Sequence, residues 1–334
     1  MLPCKTLINA IIISALLAVA PAHAQEEKPE PVRISFGGGP TGSSVYAIAA
    51  ALATMIENTV PGSAVTTIEG GTVSNAIRVA QGQVQIAYTK PATAYSAQKG
   101  TEKPFTEPSD QILGMFGLTS APVHIAIDKE YGFQSFADVV TNKAPVAIGG
   151  GAIGDSAEIF LRRILGYYDL TYDDIRAWGG EIRNVPLGEG LAAFKDGQID
   201  MQITPDTLPH SGILELSQAR NVQLLSLDDQ LITDLSQEFG YSRATIPAGT
   251  YAGTDYDVTT LDDPFILTVN AELSDDFVYW FTKAVMSEKG RKLLGAINPQ
   301  LAEVTPEESF AMLGEVRLHP GAERYWREAG VLKD

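Results

Sequence analysis

The sequence predicts an α/β protein of two lobes, each an open, mostly parallel sheet with flanking helices, and three observations carry that prediction. An alternating run, Val32 to Phe36, enters Gly37-Gly38-Gly39-Pro40-Thr41-Gly42-Ser43-Ser44 and then apolar residues at helical spacing from Tyr46 to Ile56, which reads as strand, glycine turn and helix start. More than a hundred residues later, Pro145 to Glu158 repeats the pattern around Gly149-Gly150-Gly151 and Gly154-Asp155-Ser156. The echo continues, since Ala76 to Thr89 parallels Leu191 to Thr204; Gly42 to Gly82 spans 40 positions and Gly154 to Gly197 spans 43. Two similar lobes imply a cleft between them, with a glycine loop and a helix start from each side. Free N–H groups and the dipole at such helix starts favour a carboxylate or phosphate.

Each element follows in turn. Residues 1–24 read as a signal peptide: Lys5 gives a positive start, Leu7 to Ala20 an apolar stretch, and Ala22-His23-Ala24 a small-x-small cleavage site, which places the mature 310-residue protein in the periplasm. The stretch is too short for a membrane span, which needs ~20 apolar residues. Residues 25–31 form a polar leader. The first lobe, 32–120, then reads βαβαβ: strand, helix from about Ser44 to Asn58, strand Ala64 to Ile68, a helix opened by Gly70-Gly71-Thr72-Val73-Ser74-Asn75, and strand Val84 to Tyr88 followed by Thr89-Lys90-Pro91. Ligands bind beyond the carboxyl ends of strands in such sheets, so these loops share a rim.

The apolar runs Ile112 to Leu118 and Val123 to Ile127 are broken at Thr119-Ser120-Ala121-Pro122, which marks a crossing into a second lobe, 121–248. There a helix with a Ser-x-x-Asp cap starts at Ser135, a helix runs from Asp155 to Leu165, and Met201 to Thr204 is a strand ending in Pro205-Asp206. The chain then returns, 249–334, through a strand from Pro264 to Asn270, a helix from Ser274 to Met286 and a tail whose Thr305-Pro306-Glu307-Glu308 is a capping box. Two crossings make a hinge able to close on a ligand.

Composition narrows the function. The formal charge is −17, or −18 once Lys5 leaves with the signal; a general electrostatic hold on nucleic acid or on anionic membrane is excluded. Cys4, the one cysteine, also leaves, so no disulfide or thiol chemistry is expected. His124, His210 and His319 are isolated in the sequence and read as structural. No metal and no cofactor is expected.

Competing motifs are weak. Gly37-x-Gly39-x-x-Gly42, with Glu69 as a ribose partner, matches a dinucleotide fingerprint, but export, Pro40 and the duplicated loop argue against it; the phosphate-binding reading lacks its lysine. No Gly-x-Ser-x-Gly elbow is present. The candidate ligand residues are therefore those at the rim: Thr41, Gly42, Ser43, Ser44 and Tyr46 of the first loop, Gly71, Thr72, Ser74 and Asn75 at the second helix start, and Thr89 and Lys90 after the third strand. The second lobe contributes Gly154, Asp155, Ser156, Thr204 and Asp206. Lys90 would attract a second carboxylate, and since the glycine loops and Lys90 supply more anion-holding groups than Asp155 supplies cation-holding ones, a dicarboxylate is expected over an amino acid. Asp155, three residues before Glu158, either holds a substrate amine or caps its helix. No catalytic residue is assigned.

Ile34 to Tyr46, Gly70 to Tyr88, Ile246-Pro247-Ala248-Gly249-Thr250-Tyr251 and the closing Leu318-His319-Pro320-Gly321-Ala322-Glu323-Arg324-Tyr325-Trp326-Arg327-Glu328-Ala329-Gly330 resemble the TAXI group of TRAP-transporter solute receptors, across essentially the whole mature chain. The resemblance implies a type II periplasmic-binding-protein fold. It implies a receptor, taken as monomeric, that hands a small organic anion such as glutamate or 2-oxoglutarate to an ion-gradient-driven TRAP-type permease. Ser43-Ser44-Val45-Tyr46 stands where that group commonly has Gly-Thr-Tyr-Tyr, Thr89-Lys90 where an uncharged or acidic pair is usual, and Asp155-Ser156 where Gly-Thr is common. An exported enzyme acting on a small carboxylic acid in the same cleft is the alternative.

Overall fold

The computed structural model describes residues 28–39 and 43–333. The expected signal peptide, the first residues of the leader, and Thr41 and Gly42 of the first glycine loop lie outside the described residues.

Twelve strands are described: β1 (Arg33–Gly37), β2 (Ala64–Ile68), β3 (Ile86–Thr89), β4 (Ile112–Thr119), β5 (Val123–Asp128), β6 (Ala147–Gly149), β7 (Glu181–Arg183), β8 (Met201–Pro205), β9 (Val222–Leu224), β10 (Ser242–Ile246), β11 (Val258–Asp262) and β12 (Phe265–Asn270). Helices α1 (Ser44–Thr59), α2 (Thr72–Ala80), α3 (Pro91–Lys99), α4 (Phe136–Thr141) and α5 (Ser156–Tyr167) build the rim and its supports. The sheets have the orders β2-β1-β3-β12-β4 and β7-β6-β8-β5-β9, and β10 and β11 pair as a separate hairpin.

Each sheet contains one antiparallel strand, and the crossings explain which. β4 ends at the boundary between the lobes, so β5 must start there and run away from it; β5 is antiparallel to both β8 and β9. By the same geometry β12, entered from β11, is antiparallel to β3 and β4. The remaining strands point their carboxyl ends at the other lobe, as β1 pairs parallel with β2 and β3, and β6 with β7 and β8. Both rims therefore face one cleft.

The two crossings are tied to each other. Asp262 accepts hydrogen bonds from the Ala121 N–H at 2.7 Å and the Ser120 hydroxyl at 3.0 Å, and Asp263 N–H donates to the Ala121 carbonyl at 3.2 Å. The chain rejoins the first sheet at Phe265. The hairpin that precedes it, which spans residue 249, packs on the second lobe through Leu261 and the Thr260 hydroxyl, which donates to the Val123 carbonyl.

Each sheet has its own core. Around the first, Phe36, Phe116, Phe277, Phe281 and Trp326 are buried together; around the second, Val123, Ile125, Phe136, Phe160, Ile203 and Leu231. The C-terminal segment belongs to the first. His319 caps the helix Pro320–Glu328, accepting the Gly321 N–H, and Trp326 Nε1 donates to the Met115 carbonyl at 2.9 Å. Gly321 is required there, because a Cβ would lie 2.2 Å from the Asp275 carbonyl oxygen. The His-Pro-Gly-Ala segment thus clamps a helix to β4, and that is a packing role.

Candidate functional site between the lobes

Three helix starts meet at the cleft. On the first lobe, Ser43 caps α1 by accepting the Tyr46 N–H at 3.2 Å, and its neighbour Ser44 is exposed. Gly70 N–H reaches the Gly39 carbonyl, which brings the first glycine loop beside the start of α2. Gly71 precedes α2 in an extended conformation, and the Ser74 hydroxyl accepts its N–H at 2.9 Å. From the second lobe comes the start of α5, preceded by Gly154 at φ +84, where a left-handed turn favours glycine.

Gly71 and Asp155 face each other across the cleft. A Cβ placed on Gly71 would have as its nearest neighbours only the Ser74 hydroxyl at 3.7 Å and the Asp155 carboxylate at 4.0 Å. The hydrogen of Gly71 therefore points into the space between the lobes, toward a carboxylate of the opposite one. Asp155 occupies the cap position of α5, but its side chain makes no capping hydrogen bond. Asp155 is exposed; partial loss of water pushes its carboxyl above the usual range, the Ala152 N–H opposes that shift, and nearby Glu158 adds to it.

Tyr88, at the end of β3, is a site residue that the sequence did not single out. It is buried, with the Thr72 side chain and the Asp155 and Asp206 carboxylates in reach; burial first pushes it up to about 12, Thr72 opposes that shift, and the two carboxylates add to it. It stays a neutral hydroxyl on the first-lobe wall. Its place after an apolar strand was the available signal, and an aromatic there reads equally well as core.

Asp206 follows β8 and accepts the Thr207 N–H at 2.7 Å, with its other oxygen 3.7 Å from His210 Nε2. Thr204, two residues earlier and 2% exposed, has a hydroxyl without a hydrogen-bond partner among the described residues. Two of the three histidines isolated in the sequence are neighbours here. His124 and His210 rings lie 6.4 Å apart, and Tyr251 stands between the two residues, its hydroxyl 2.8 Å from His124 Nε2 and accepting the His210 backbone N–H at 2.7 Å. Burial pushes His124 down to about 4, so the ring is neutral.

Three candidates are structural supports rather than cleft surface. Asn75 is fully buried and its amide donates to the Gly38 and Tyr88 carbonyls, each at 3.0 Å, which joins the first glycine loop to the end of β3. Thr89 spends its hydroxyl on the Thr72 carbonyl. Lys90, read from the sequence as a rim cation, is 1% exposed; its ammonium donates to the Asp263 carbonyl and lies 3.5 Å from the centre of the Phe265 ring. The lysine folds inward because the second crossing passes directly over the end of β3. Burial lowers its pKa. The remaining rim candidates, Ser43, Ser44, Tyr46, Gly71, Thr72, Ser74, Gly154, Asp155, Ser156 and Asp206, stay at the helix starts and strand ends that border the cleft.

The NMT1-like family is matched over residues 36–330. Among solved structures, the binding protein component of an ABC phosphonate transporter from Pseudomonas aeruginosa aligns at a TM-score of 0.52 and 14% sequence identity, over 82% of this chain and 80% of that one. The alkanesulfonate-binding protein of Xanthomonas axonopodis pv. citri aligns at a TM-score of 0.44 and 14% identity, over 92% of this chain and 96% of that one. The architecture is that of a two-lobe type II periplasmic binding protein. No helix among the described residues is long and apolar enough to cross a membrane.

Proposed function

Starting from the fact that this chain belongs to the NMT1-like family, we propose that it is an exported solute receptor that closes its two lobes on a small organic acid and passes it to a membrane permease. The observation that carries this reading is the meeting of Gly71 and Asp155 across the cleft, with the starts of α1, α2 and α5 around them. Backbone N–H groups at helix starts hold a carboxylate without spending a side-chain charge. That suits a protein whose net charge repels anions. The sequence resemblance to TRAP-transporter receptors supports an ion-gradient-driven permease as the recipient and the periplasm as the place of capture.

The chemistry at the rim supports binding over catalysis. His210 is the imidazole nearest a cleft carboxylate, but its Nδ1 accepts the Ile213 N–H at 3.3 Å, so its proton sits on Nε2, toward Asp206. It has no basic nitrogen left to activate a nucleophile.

The test uses Gly71→Val. Gly71 has φ −144, open to any residue, and no close neighbour at its Cβ position, so the variant folds. The new side chain projects into the cleft. Small-angle scattering with saturating small carboxylic acids should show the wild type contract and the variant stay open. An acid that binds both forms equally, with no contraction in either, would place the site elsewhere.

A further inference from the structure

We propose that the two lobes turn on a three-point hinge, in which the buried guanidinium of Arg163 is a non-covalent third point beside the two covalent crossings. This inference rests on the closing motion of the receptor reading above and names what guides it.

The crossings lie to one side of both sheets. In the order β2-β1-β3-β12-β4 the crossing strands β12 and β4 stand at one edge, and β1, which enters the first glycine loop, stands near the other. In β7-β6-β8-β5-β9 the crossing strand β5 and the loop strand β6 are separated in the same way. A rotation that parts Gly71 from Asp155 therefore turns about the crossing edge.

Arg163 lies close to that edge, since its charge acts on the Asp263 carboxyl of the second crossing. Its own lobe holds it through the Tyr241 hydroxyl, which accepts from Nη1 at 2.7 Å, and the Phe239 ring, whose centre is 4.2 Å from the guanidinium carbon. The first lobe supplies the other partners. The Ser96 hydroxyl of α3 accepts from Nη2 at 3.1 Å, and the Glu102 carboxylate pairs with Nη2 and accepts from Nε at 3.4 Å. Arg163 is 5% exposed. A guanidinium so buried cannot release its partners in every cycle without being left as an unpaired charge out of water. The tie persists while the cleft opens and shuts, and its place by the axis permits this, because points near an axis move least.

Two further features suit a pivot at this point. A cavity of about 520 Å³ adjoins it, lined by Tyr95 and Met312 of the first lobe, Ser236 and Tyr241 of the second and Pro264 of the crossing. The lobes thus turn beside a gap, and no close-packed core is compressed. The same helix also reaches the cleft. Asp155 caps α5 and Arg163 lies within it, ~12 Å along the helix axis, so turning the second lobe by ~20° about Arg163 carries Asp155 ~4 Å from Gly71.

Spin labels on Asn58→Cys of the first lobe and Glu189→Cys of the second, both exposed positions, report the opening by pulsed electron resonance. In solute-free protein purified from the periplasm, Arg163→Met should lengthen the mean distance by ~4 Å and broaden its distribution. Gly71 and Asp155 already face each other, so freed lobes have room only to part. Glu102→Gln, which keeps a hydrogen-bonding group, should give a smaller shift in the same direction. Phe281→Leu, in the first-lobe core, is the control: it should lower the melting temperature without moving the distance. The Arg163 Nε proton, assigned by its absence from Arg163→Met in nitrogen-15 NMR, should exchange slowly in the solute-free wild type. A distance unmoved in Arg163→Met, or moved equally in Phe281→Leu, overturns the pivot. Fast exchange at Nε in the solute-free wild type makes the tie a latch of the closed form and overturns it too. The receptor reading is judged apart from this, by whether glutamate or 2-oxoglutarate shortens the wild-type distance. A wild type that neither acid moves, while Arg163→Met still widens, keeps the pivot and overturns that choice of solute.

Discussion

The ammonium of Lys90 sits 3.5 Å from the centre of the Phe265 ring, directly under the strand by which the chain returns to its first lobe. With its bond to the Asp263 carbonyl, this makes Lys90 a support of the second crossing. Lys90→Met fills a similar volume but leaves that carbonyl, and the buried Asp263 carboxyl beside it, without a cation. Denaturant titration should show a loss of about 1–3 kcal/mol, while solute affinity changes less than in Gly71→Val. Unchanged stability combined with lost affinity would return Lys90 to the cleft.

Asp263 itself predicts a pH dependence. Burial raises its carboxyl to about 6, with the charge of Lys90 opposing the shift, against roughly 4 in an unfolded chain. Between those values the folded state keeps a proton that the unfolded state has lost. Its contribution to stability is complete below pH ~4 and is lost as pH rises through about 6. The stability of the wild type relative to Asp263→Asn should therefore fall as pH rises across this window and stay flat above it. Parallel curves would contradict the assignment.

Asn75 ties the glycine loop to β3 by two buried hydrogen bonds. Asn75→Ala leaves the Gly38 and Tyr88 carbonyls unsatisfied, at a cost of about 2 kcal/mol or more. Exchange of the amide protons of the Gly37–Gly39 segment should speed up before the rest of the first lobe is affected. Uniform exchange would mean that the loop is held by something else.

A second tie crosses between the lobes. Arg163 of α5, buried, donates to the Tyr241 hydroxyl at 2.7 Å and to Ser96 of α3 at 3.1 Å, pairs with Glu102 and stacks on Phe239. Glu102→Gln should cost about 1–3 kcal/mol. Because the two side chains interact, Arg163→Met combined with it should cost less than the two single changes added together. Strict additivity would show that the pair is incidental.

Much of the architecture was legible. The second glycine loop, the crossing at Thr119 to Pro122 and the caps at Ser135 and Thr305 appear where the pattern put them, because glycine turns and capping boxes are local signals. The β10–β11 hairpin and α3 were not foreseen, since their residues lack a clear period and are fixed by packing between the lobes. At the site, the helix starts were readable but the direction of a side chain was not. Lys90 turns inward because of Phe265, 175 residues away by number, and His124 meets His210 only through Tyr251. Such relations depend on long-range folding that a local reading does not contain.

The central claim, that a small organic acid is held between Gly71 and Asp155, is tested most directly by native mass spectrometry of the protein purified from the periplasm. The account predicts an added mass of a single small acid on the wild type, absent from Gly71→Val prepared in the same way. A wild type that carries no acid and takes none up on titration, or a Gly71→Val variant that retains it equally, would contradict it.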